Sequence, residues 1–352
     1  MSRYQKRLTE DLESLRRRVA SVAARVDDAV GMAVHALLTG NRALANETVL
    51  NDFPINRISR AIDADCHVFV ARHLPSAGHL RFVSSVLRLN IALERIGDYA
   101  VTIARETEQL GKPPPSEIVN IIQQMADQSR KMYRQAIEAW VDQNPELARG
   151  TKVMASSVDD LHDIAWKELL KLGSSGEGPS LRRLFALLIV FSNLERVSDQ
   201  AKNICEEAIF AATGETKPAK QYKVLFVDEG NDRASVLAQA IAGKAFPESG
   251  SYTSAGWSAA QSHSPETLAL LDELGLEPGG AAPTPLAEVL PDLRKQHVIV
   301  SLAGNPRPHL GRVPFNTIIL EWSVPTDLKE ARQHLGEEIG KLMEKLRGEG
   351  AR

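Results

Sequence analysis

Apolar residues in the first two thirds of the chain recur every three or four positions, which is the period of an amphipathic α-helix. This period predicts helices at about 4–39, 43–72, 80–110, 118–142, 145–172 and 181–212. In the first of them the apolar positions are Leu8, Leu12, Leu15, Val19, Val22, Val26, Val30 and Ala33. Pro54 lies inside the second segment, which is therefore either one kinked helix or two helices.

The breaks between these segments divide the predicted helices into two sets of three. A Gly-Pro stretch at 111–115 separates the sets, and a Gly/Ser-rich stretch at 173–179 precedes the last helix. We therefore predict an internal duplication with repeats at about 4–110 and 116–213. The product would be an all-α domain, 1–214, built from two related three-helix bundles with six long helices.

The pattern changes after a polar, proline-containing stretch at 215–222, which we interpret as a linker. Short apolar runs of strand type at 223–227, 251–255, 297–301 and 316–320 then alternate with helical segments at 233–245, 265–274 and 327–347. Strands that alternate with helices predict a parallel sheet covered on both faces. We therefore expect a second domain, 223–348, with an α/β doubly wound fold.

One six-residue signature occurs twice in the helical region, as LERIGD and as LERVSD. Its glutamates, Glu94 and Glu195, are 101 positions apart (195 − 94), and so are Asp98 and Asp199 (199 − 98). Residues four apart lie on one face of a helix, so each copy places two carboxylates side by side. Such a pair destabilises the helix slightly unless a positive charge lies nearby.

Two sources of positive charge are open at this point. The neighbouring Arg95 and Arg196 could pair with the acids, or the acids could bind a metal ion. Carboxylate oxygens suit hard or intermediate cations such as iron, manganese, magnesium or calcium. Asp52 in the second helix is a candidate for a further oxygen ligand, whereas the matching place in the second repeat holds Ala155.

The helical region, from about residue 7 to residue 213, resembles the PhoU family. The doubled signature carries the resemblance, together with YAVTI after the first copy and QAKNI after the second. The resemblance implies two packed three-helix bundles, a homodimer, and metal clusters at the Glu-x-x-x-Asp helices. It also implies a repressor of phosphate-starvation signalling that restrains phosphate uptake through a sensor histidine kinase and the ATPase of a phosphate ABC transporter. The family usually has an acid where this chain has Ala155, so a poorer second site is expected.

Composition narrows the functional classes. The formal net charge is -3, so no overall basic field indicates a nucleic-acid partner. Two cysteines, Cys66 and Cys205, do not form a disulfide framework, and their helical, partly apolar surroundings predict buried thiols. No apolar run has the length of a membrane span, and no secretory segment is recognisable at the N-terminus. We expect a cytoplasmic protein that reaches the inner face of the membrane only through its partners.

The start of the C-terminal region, VLFVDEGNDRASVLAQA, resembles the phosphate loop of low-molecular-weight tyrosine phosphatases and arsenate reductases. In that family a cysteine opens the loop and attacks phosphorus, and an arginine six residues later holds the oxyanion. Here these two positions are Asp228 and Ala234, whereas Gly230, Asn231 and Ser235 match the family. The resemblance therefore implies a vestigial phosphate loop in a catalytically dead, phosphatase-like domain.

Charge supports this interpretation. A carboxylate at Asp228 would repel a bound anion about 4 Å away by roughly 4 kcal/mol at an intermediate dielectric. Arg233 stands one residue too early to replace the missing arginine, and Asp327 stands one residue late for the family's acid. We expect Asp228 at the mouth of the loop, where a cationic or hydroxyl-bearing group of a partner could meet it.

Three alternatives to a regulatory adaptor remain open. The first is a phosphatase that uses carboxylate-bound metals or Asp228 as an aspartyl nucleophile. The second, a serine hydrolase built from Ser235 with His263 or His309, is disfavoured because no nucleophile elbow is present. The third is a helical dimeriser without a ligand.

Overall fold

The computed structural model describes residues 3–175, 178–311 and 313–352. The chain forms two compact units, Met1–Lys217 and Pro218–Arg352. The boundary between them falls within the polar stretch 215–222. Each unit has its own apolar core and is described by itself.

The first unit is all-helical. Its first half contains α1 (Arg3–Thr39), α2 (Arg42–His73) and α3 (Ala77–Leu110), and its second half contains α4 (Ser116–Val141), α5 (Pro145–Val153), α6 (Ala155–Ser174) and α7 (Leu181–Thr213). The described part of this unit thus has seven helices, not six. The single helix predicted at 145–172 is wrong because the Met154 amide donates to Thr151 O, three residues back, and the α-helical pattern is interrupted there. In contrast, α2 continues through Pro54 as one helix.

The helix ends repeat between the two halves. Asn41 and Asn144 cap α2 and α5, and their side chains accept hydrogen bonds from the Leu44 and Leu147 amides at 3.0 Å. Gly111 and Gly214 end α3 and α7 with positive φ angles of 69° and 83°. Both kinds of cap recur at an interval of 103 residues (144 − 41 and 214 − 111). The same local chemistry therefore delimits corresponding helices of a duplicated bundle.

The two signature helices pack together at the centre of the first unit. α3 contacts α1, α2 and α7, whereas α7 contacts α4, α5 and α6 as well as α3. Trp140 is buried in this core, stacks on Phe82 at 5.2 Å and donates through Nε1 to Ser85 Oγ at 2.9 Å. The packing of α3 on α7 places each carboxylate pair on a helix that is fixed along its other faces.

The second unit contains a four-stranded parallel sheet in the order β2-β1-β3-β4. Its elements are, in chain order, β1 (Tyr222–Asp228), α8 (Ala234–Ala245), β2 (Gly250–Gly256), α9 (Pro265–Glu273), α10 (Leu286–Val289), β3 (Val298–Ser301), α11 (Arg307–Leu310), β4 (Ile318–Glu321) and α12 (Leu328–Arg347). Successive β1 residues belong to different apolar clusters, Val224 and Phe226 to one, Leu225 and Val227 to the other. Both faces of the sheet are therefore covered, as expected for a doubly wound α/β fold.

The cysteines behave as predicted. Cys66 and Cys205 are buried free thiols, and burial raises the pKa of each to about 12. Across the residues that the structure describes, no helix combines the length and the apolar character needed to cross a membrane.

Candidate functional site

The first half brings Asp52 of α2 against the signature of α3. A Cβ atom added at Gly97 would lie 3.1 Å from Asp52 Oδ1, so the carboxylate rests on the α3 backbone beside Asp98. Glu94 and Asp98 are themselves exposed on the same helix. The glycine in this copy of the signature therefore leaves room for the Asp52 carboxylate against α3.

The signature carboxylates of α3 also affect the pKa of Asp52. Burial raises the pKa of Asp52, and the Asp98 and Glu94 carboxylates raise it further. Asn56 Nδ2 opposes this rise by donating to Asp52 Oδ2 at 2.6 Å. Asp52 Oδ1 is buried and has no hydrogen-bond partner in the described structure. A cation would compensate both the repulsion and the unpartnered oxygen.

The second half brings Glu195 of α7 close to two residues of α6, Asp159 and His162. His162 Nε2 lies 3.6 Å from Glu195 Oε2. Partial burial raises the pKa of Glu195, and Asp199 and Asp159 raise it further, whereas His162 opposes the rise. The pKa of Asp159 is also raised, first by desolvation and also by Asp199. The structure therefore places one imidazole beside the signature acid Glu195, with Asp199 and Asp159 near enough to affect its pKa.

Sequence reasoning missed Asp159 and His162 because it examined only the position that corresponds to Asp52. That position is 103 residues later (155 − 52) and holds the buried Ala155. The counterpart of Gly97 is 101 residues later (198 − 97) and holds Ser198, whose side chain is buried. The acid is found one helical turn further on, at Asp159. A usable signal existed, since Asp159 and Asp163 repeat the four-residue spacing of the signature on α6.

The signature arginines do not neutralise these acids by ion pairing. Among the ion pairs of the described residues, none joins Arg95 or Arg196 to the four signature carboxylates, and Arg196 instead lies over the Tyr99 ring at 5.9 Å. Asp199 pairs with Lys202 at 3.3 Å. In the described ranges, no three His, Cys, Asp or Glu side chains are arranged closely enough to hold a metal ion. The donor types suit a cation, but the side chains would have to converge on it.

The C-terminal loop connects β1 to α8 and surrounds the Asp228 carboxylate. The Asn231 amide donates to Oδ1 at 2.6 Å, and the Ser235 amide donates to Oδ2 at 2.9 Å. Asp228 is only 7% exposed. Burial raises its pKa, and the hydrogen bonds from Ser235 and Asn231 oppose the rise. The expectation that Asp228 stands at the mouth of the loop is therefore wrong, because the carboxylate is turned inward onto the loop amides.

Further hydrogen bonds fix the loop around this carboxylate. Asn231 adopts a positive φ of 50°, donates through Nδ2 to Ser235 Oγ at 2.9 Å and accepts from the Thr284 amide at 2.7 Å. A Cβ at Gly256 would lie 2.7 Å from Asn231 N, so the end of β2 packs directly on the loop. Of the predicted loop residues, Asp228, Asn231 and Ser235 are brought together by hydrogen bonds. Gly230 lies within the loop, and Ala234 begins α8.

The charged residues near the loop are engaged elsewhere. Arg233 pairs with Glu266 at 3.3 Å. Asp327 accepts from the Lys329 and Glu330 amides and thereby caps α12.

The serine hydrolase alternative is not supported by the geometry. His263 Nε2 lies 3.1 Å from Gly280 O, and His309 stacks on Trp257 with ring centroids 4.6 Å apart. Ser235 Oγ is hydrogen-bonded to Asn231. In the described structure neither histidine is hydrogen-bonded to Ser235, so no base is in place to activate it.

Comparison with known proteins identifies the helical unit. The sequence model of the PhoU domain matches residues 19–107 and 122–208, together half of the 352 residues. The chain belongs to the PhoU family. Each matched copy contains one signature pair. A Pseudomonas putida phosphate-specific transport system accessory protein PhoU homolog is 32% identical over 208 residues, which are 58% of this chain and 80% of the relative.

Solved structures agree with this assignment. The crystal structure of PhoU from Pseudomonas aeruginosa has a TM-score of 0.55 and 29% identity, and the match covers 59% of this chain and 99% of that chain. For the C-terminal part, an arsenate reductase from Archaeoglobus fulgidus shows 26% identity with a TM-score of 0.29, over 36% of this chain and 99% of that chain.

Proposed function

We propose that this protein is a negative regulator of phosphate uptake and of phosphate-starvation signalling. The observation that carries the proposal is the duplicated PhoU-family unit, which presents a Glu-x-x-x-Asp pair on the last helix of each half. Its relatives are named accessory proteins of phosphate-specific transport systems. We propose the ATPase of a phosphate ABC transporter and a sensor histidine kinase as partners, with a homodimer as the regulatory form.

Binding to purified partners tests the adaptor role. The full chain is immobilised on a sensor surface, and binding of the purified transporter ATPase or kinase is measured in the presence of phosphate and divalent cations. The full chain should bind at least one of the two. An unrelated ABC ATPase from the same organism serves as the control. Absence of binding to both partners, with folded protein on the surface, would contradict the proposal.

The proposal includes metal ions on the carboxylate helices. Glu94 and Asp98, with Asp52, would hold iron, manganese or magnesium in the first half, and Glu195 and Asp199 would do so in the second. The support is the unpartnered Asp52 oxygen and the raised pKa values of Asp52 and Glu195, since a cation compensates close carboxylates.

Elemental analysis tests this part. Wild type and a variant with alanine at Glu94, Asp98, Glu195 and Asp199 are incubated with iron or manganese, desalted and analysed. Wild type should retain metal and the variant should lose most of it. Equally low metal in both would show that the site does not exist.

We also propose that the C-terminal unit does not hydrolyse phosphate. An aspartyl nucleophile must reach the phosphorus atom of its substrate, whereas Asp228 is buried and both of its oxygens are turned toward backbone amides. An aryl phosphate assay should show no hydrolysis by the wild type, and the double change Asp228→Cys with Ala234→Arg should restore phosphate binding or hydrolysis. Robust wild-type hydrolysis that Asp228→Ala abolishes would instead establish an aspartate-dependent phosphatase.

A further inference from the structure

The signature helices α3 and α7 run antiparallel, so the surface that they share has two ends. Arg88 of α3 donates to Glu207 of α7 at 2.7 Å, and further along α3 the ring of Tyr99 lies under Arg196, 5.9 Å away. The step along α3 is the same as the step back along α7 (99 − 88 and 207 − 196). The start of α3 therefore lies against the end of α7, and the end of α3 lies against the start of α7.

Where α3 begins, an arginine completes this surface. Arg88 pairs with Glu207, donates to Ser84 Oγ at 2.9 Å and lies over the Phe210 ring at 4.6 Å. Its guanidinium thus neutralises the acid and covers the apolar ring beside it. We call these four residues the Arg88 end.

Where α7 begins, an apolar residue stands in the place of the arginine. The interval of 101 residues relates the two ends, and the related pairs are Ser84 with Phe185, Arg88 with Ile189, and Glu106 with Glu207. The contact of Tyr99 with Arg196 gives the same register independently. Ile189 lies seven positions, about two helical turns, before Arg196 (196 − 189). Glu106 lies seven positions after Tyr99 (106 − 99), so the antiparallel helices place it beside Ile189.

The acid at this second end, Glu106, differs from its neighbours in its pairing. Among the ion pairs of the described residues none includes Glu106, whereas Glu207 pairs with Arg88 and Glu108 pairs with Arg42. Glu106 is nevertheless partly buried, and desolvation raises its pKa. A positive charge brought to this carboxylate would favour its ionised form.

An exposed apolar stripe lies next to this acid. Leu181, Phe185 and Ile189 follow one another at four-residue steps on one face of α7, and they are 72%, 61% and 39% exposed. Their span of eight residues is about 12 Å, which is a little more than two turns of a helix laid along it. Contiguous exposed apolar residues of this kind mark interaction surfaces. We call this stripe together with Glu106 the Glu106 end.

We infer that the Glu106 end is a docking surface for an amphipathic helix of another protein, which brings apolar side chains to Phe185 and Ile189 and an arginine or lysine to Glu106. Apolar residues three or four apart on such a helix match a stripe of this length. Its cation does for Glu106 what Arg88 does for Glu207 within the chain. A carboxylate beside the stripe disfavours a lipid surface, because anionic headgroups repel it. This inference rests on the adaptor role in the proposed function and adds the surface and the chemistry of the partner.

Photo-cross-linking in the host identifies the occupant. The photoreactive residue p-benzoylphenylalanine replaces Phe185 of the full chain, or Phe53 as the matched control, which is 60% exposed and belongs to α2. Cross-linked peptides are mapped by mass spectrometry. We expect a product with another protein from the Phe185 position only, joined through a helical segment that carries apolar residues and an arginine or lysine.

Affinities of the purified mapped partner for the full chain then test each contact. Phe185→Ala should weaken binding about 30-fold and Glu106→Gln at least about tenfold, whereas Phe53→Ala and Glu108→Gln should leave it unchanged. Reversal of the partner's basic residue to glutamate should abolish binding to the wild type, and Glu106→Arg should restore it. Circular dichroism checks that every variant is folded.

The other outcomes overturn the inference. A Phe185 cross-link to a second copy of this chain, within the chain itself or to lipid assigns the Glu106 end to a different occupant, and a yield no higher than at Phe53 shows an unoccupied surface. Charge reversal that Glu106→Arg does not rescue removes Glu106 from the contact.

Failure of this inference is distinguishable from failure of the proposed function. Binding of the transporter ATPase or the kinase that is insensitive to Phe185→Ala and Glu106→Gln overturns the inference and leaves the proposed function intact. A mapped partner that meets every expectation above but is neither of these two proteins supports the inference and contradicts the proposed partners.

Discussion

Replacement of Asp228 by alanine should destabilise the C-terminal unit without abolishing any phosphatase activity. The carboxylate is the acceptor for two amides, those of Asn231 and Ser235, and all three residues are buried. Alanine cannot accept either bond. Both amides would then be left without an acceptor in a place that water reaches poorly.

The size of the expected decrease in the free energy of unfolding follows from the two amides that would lose their acceptor. A buried donor without a partner costs about 1–3 kcal/mol, so two such amides would cost roughly 2–6 kcal/mol. Relief from burying a carboxylate reduces this sum, because burial raises the pKa of Asp228 and so disfavours its charged form. We therefore expect the free energy of unfolding to fall by about 2–4 kcal/mol, which is the lower half of the range for two unpartnered amides.

Denaturant unfolding of the full chain, followed by the combined fluorescence of its four tryptophans, measures this change, and one of them, Trp257, donates its amide to Asp228 O. Glu229→Ala is the matched control, because Glu229 is the next residue and its side chain is exposed. Hydrogen exchange should also accelerate at the Asn231 and Ser235 amides in Asp228→Ala only. If Asp228→Ala and Glu229→Ala unfold with the same free energy and exchange equally, the carboxylate does not organise the loop.

The same carboxylate predicts a pH dependence. A folded-state pKa above the ordinary value of 3.8 means that the native state binds the proton more tightly than the unfolded state does. This contribution to stability is complete below about pH 3.8 and is lost as the pH rises through the raised pKa. The stability advantage of wild type over Asp228→Asn should therefore shrink with rising pH. An advantage that grows with pH over this window would contradict the raised pKa.

Two further predictions concern the helical unit. Arg130 of α4 donates two hydrogen bonds of 2.9 Å to Asp27 of α1. Arg130→Met should therefore lower the free energy of unfolding by about 1–3 kcal/mol, which is less than the loss expected for a fully buried pair. The control Arg134→Met removes a more exposed contact to Asp27 and should lower the free energy of unfolding by less than about 1 kcal/mol. Equal decreases in the two variants would contradict the prediction that the Arg130 pair is the stronger one. The thiols of Cys66 and Cys205, with pKa values of about 12, should resist iodoacetamide at pH 8 in the native protein and react after unfolding. Rapid native labelling, measured by mass spectrometry, would show that they are accessible.

Much of the fold is predictable because helix period, capping and repetition agree with one another. Asn41 and Asn144 as caps, and Gly111 and Gly214 as helix ends, mark the same points in both halves. The break at Met154 is not predictable in this way, since neither glycine nor proline stands there and the apolar period continues across it. Two shorter-range hydrogen bonds mark it, from the Met154 amide to Thr151 O and from the Ser157 amide to Met154 O, and neither leaves a mark in the sequence.

The candidate sites were predictable only where the spacing of residues along one helix determines which side chains share a face. The four-residue spacing within the signature predicts one carboxylate face, and Asp52 follows from its place in the second helix. Asp159 and His162 depend on how α6 lies against α7, which the spacing within one helix does not determine. The inward turn of Asp228 likewise depends on the loop amides and not on the residue type.

The central claim is that the chain restrains phosphate uptake, and the rate of radiolabelled phosphate uptake in its own host tests it most directly. The host is grown with ample phosphate, with the gene intact, deleted, or restored as wild type or as the variant with alanine at all four signature carboxylates. We predict that deletion raises uptake and that wild type, but not the variant, returns it to the original rate. Unchanged uptake on deletion, in cells shown to produce the protein before deletion, would contradict the account.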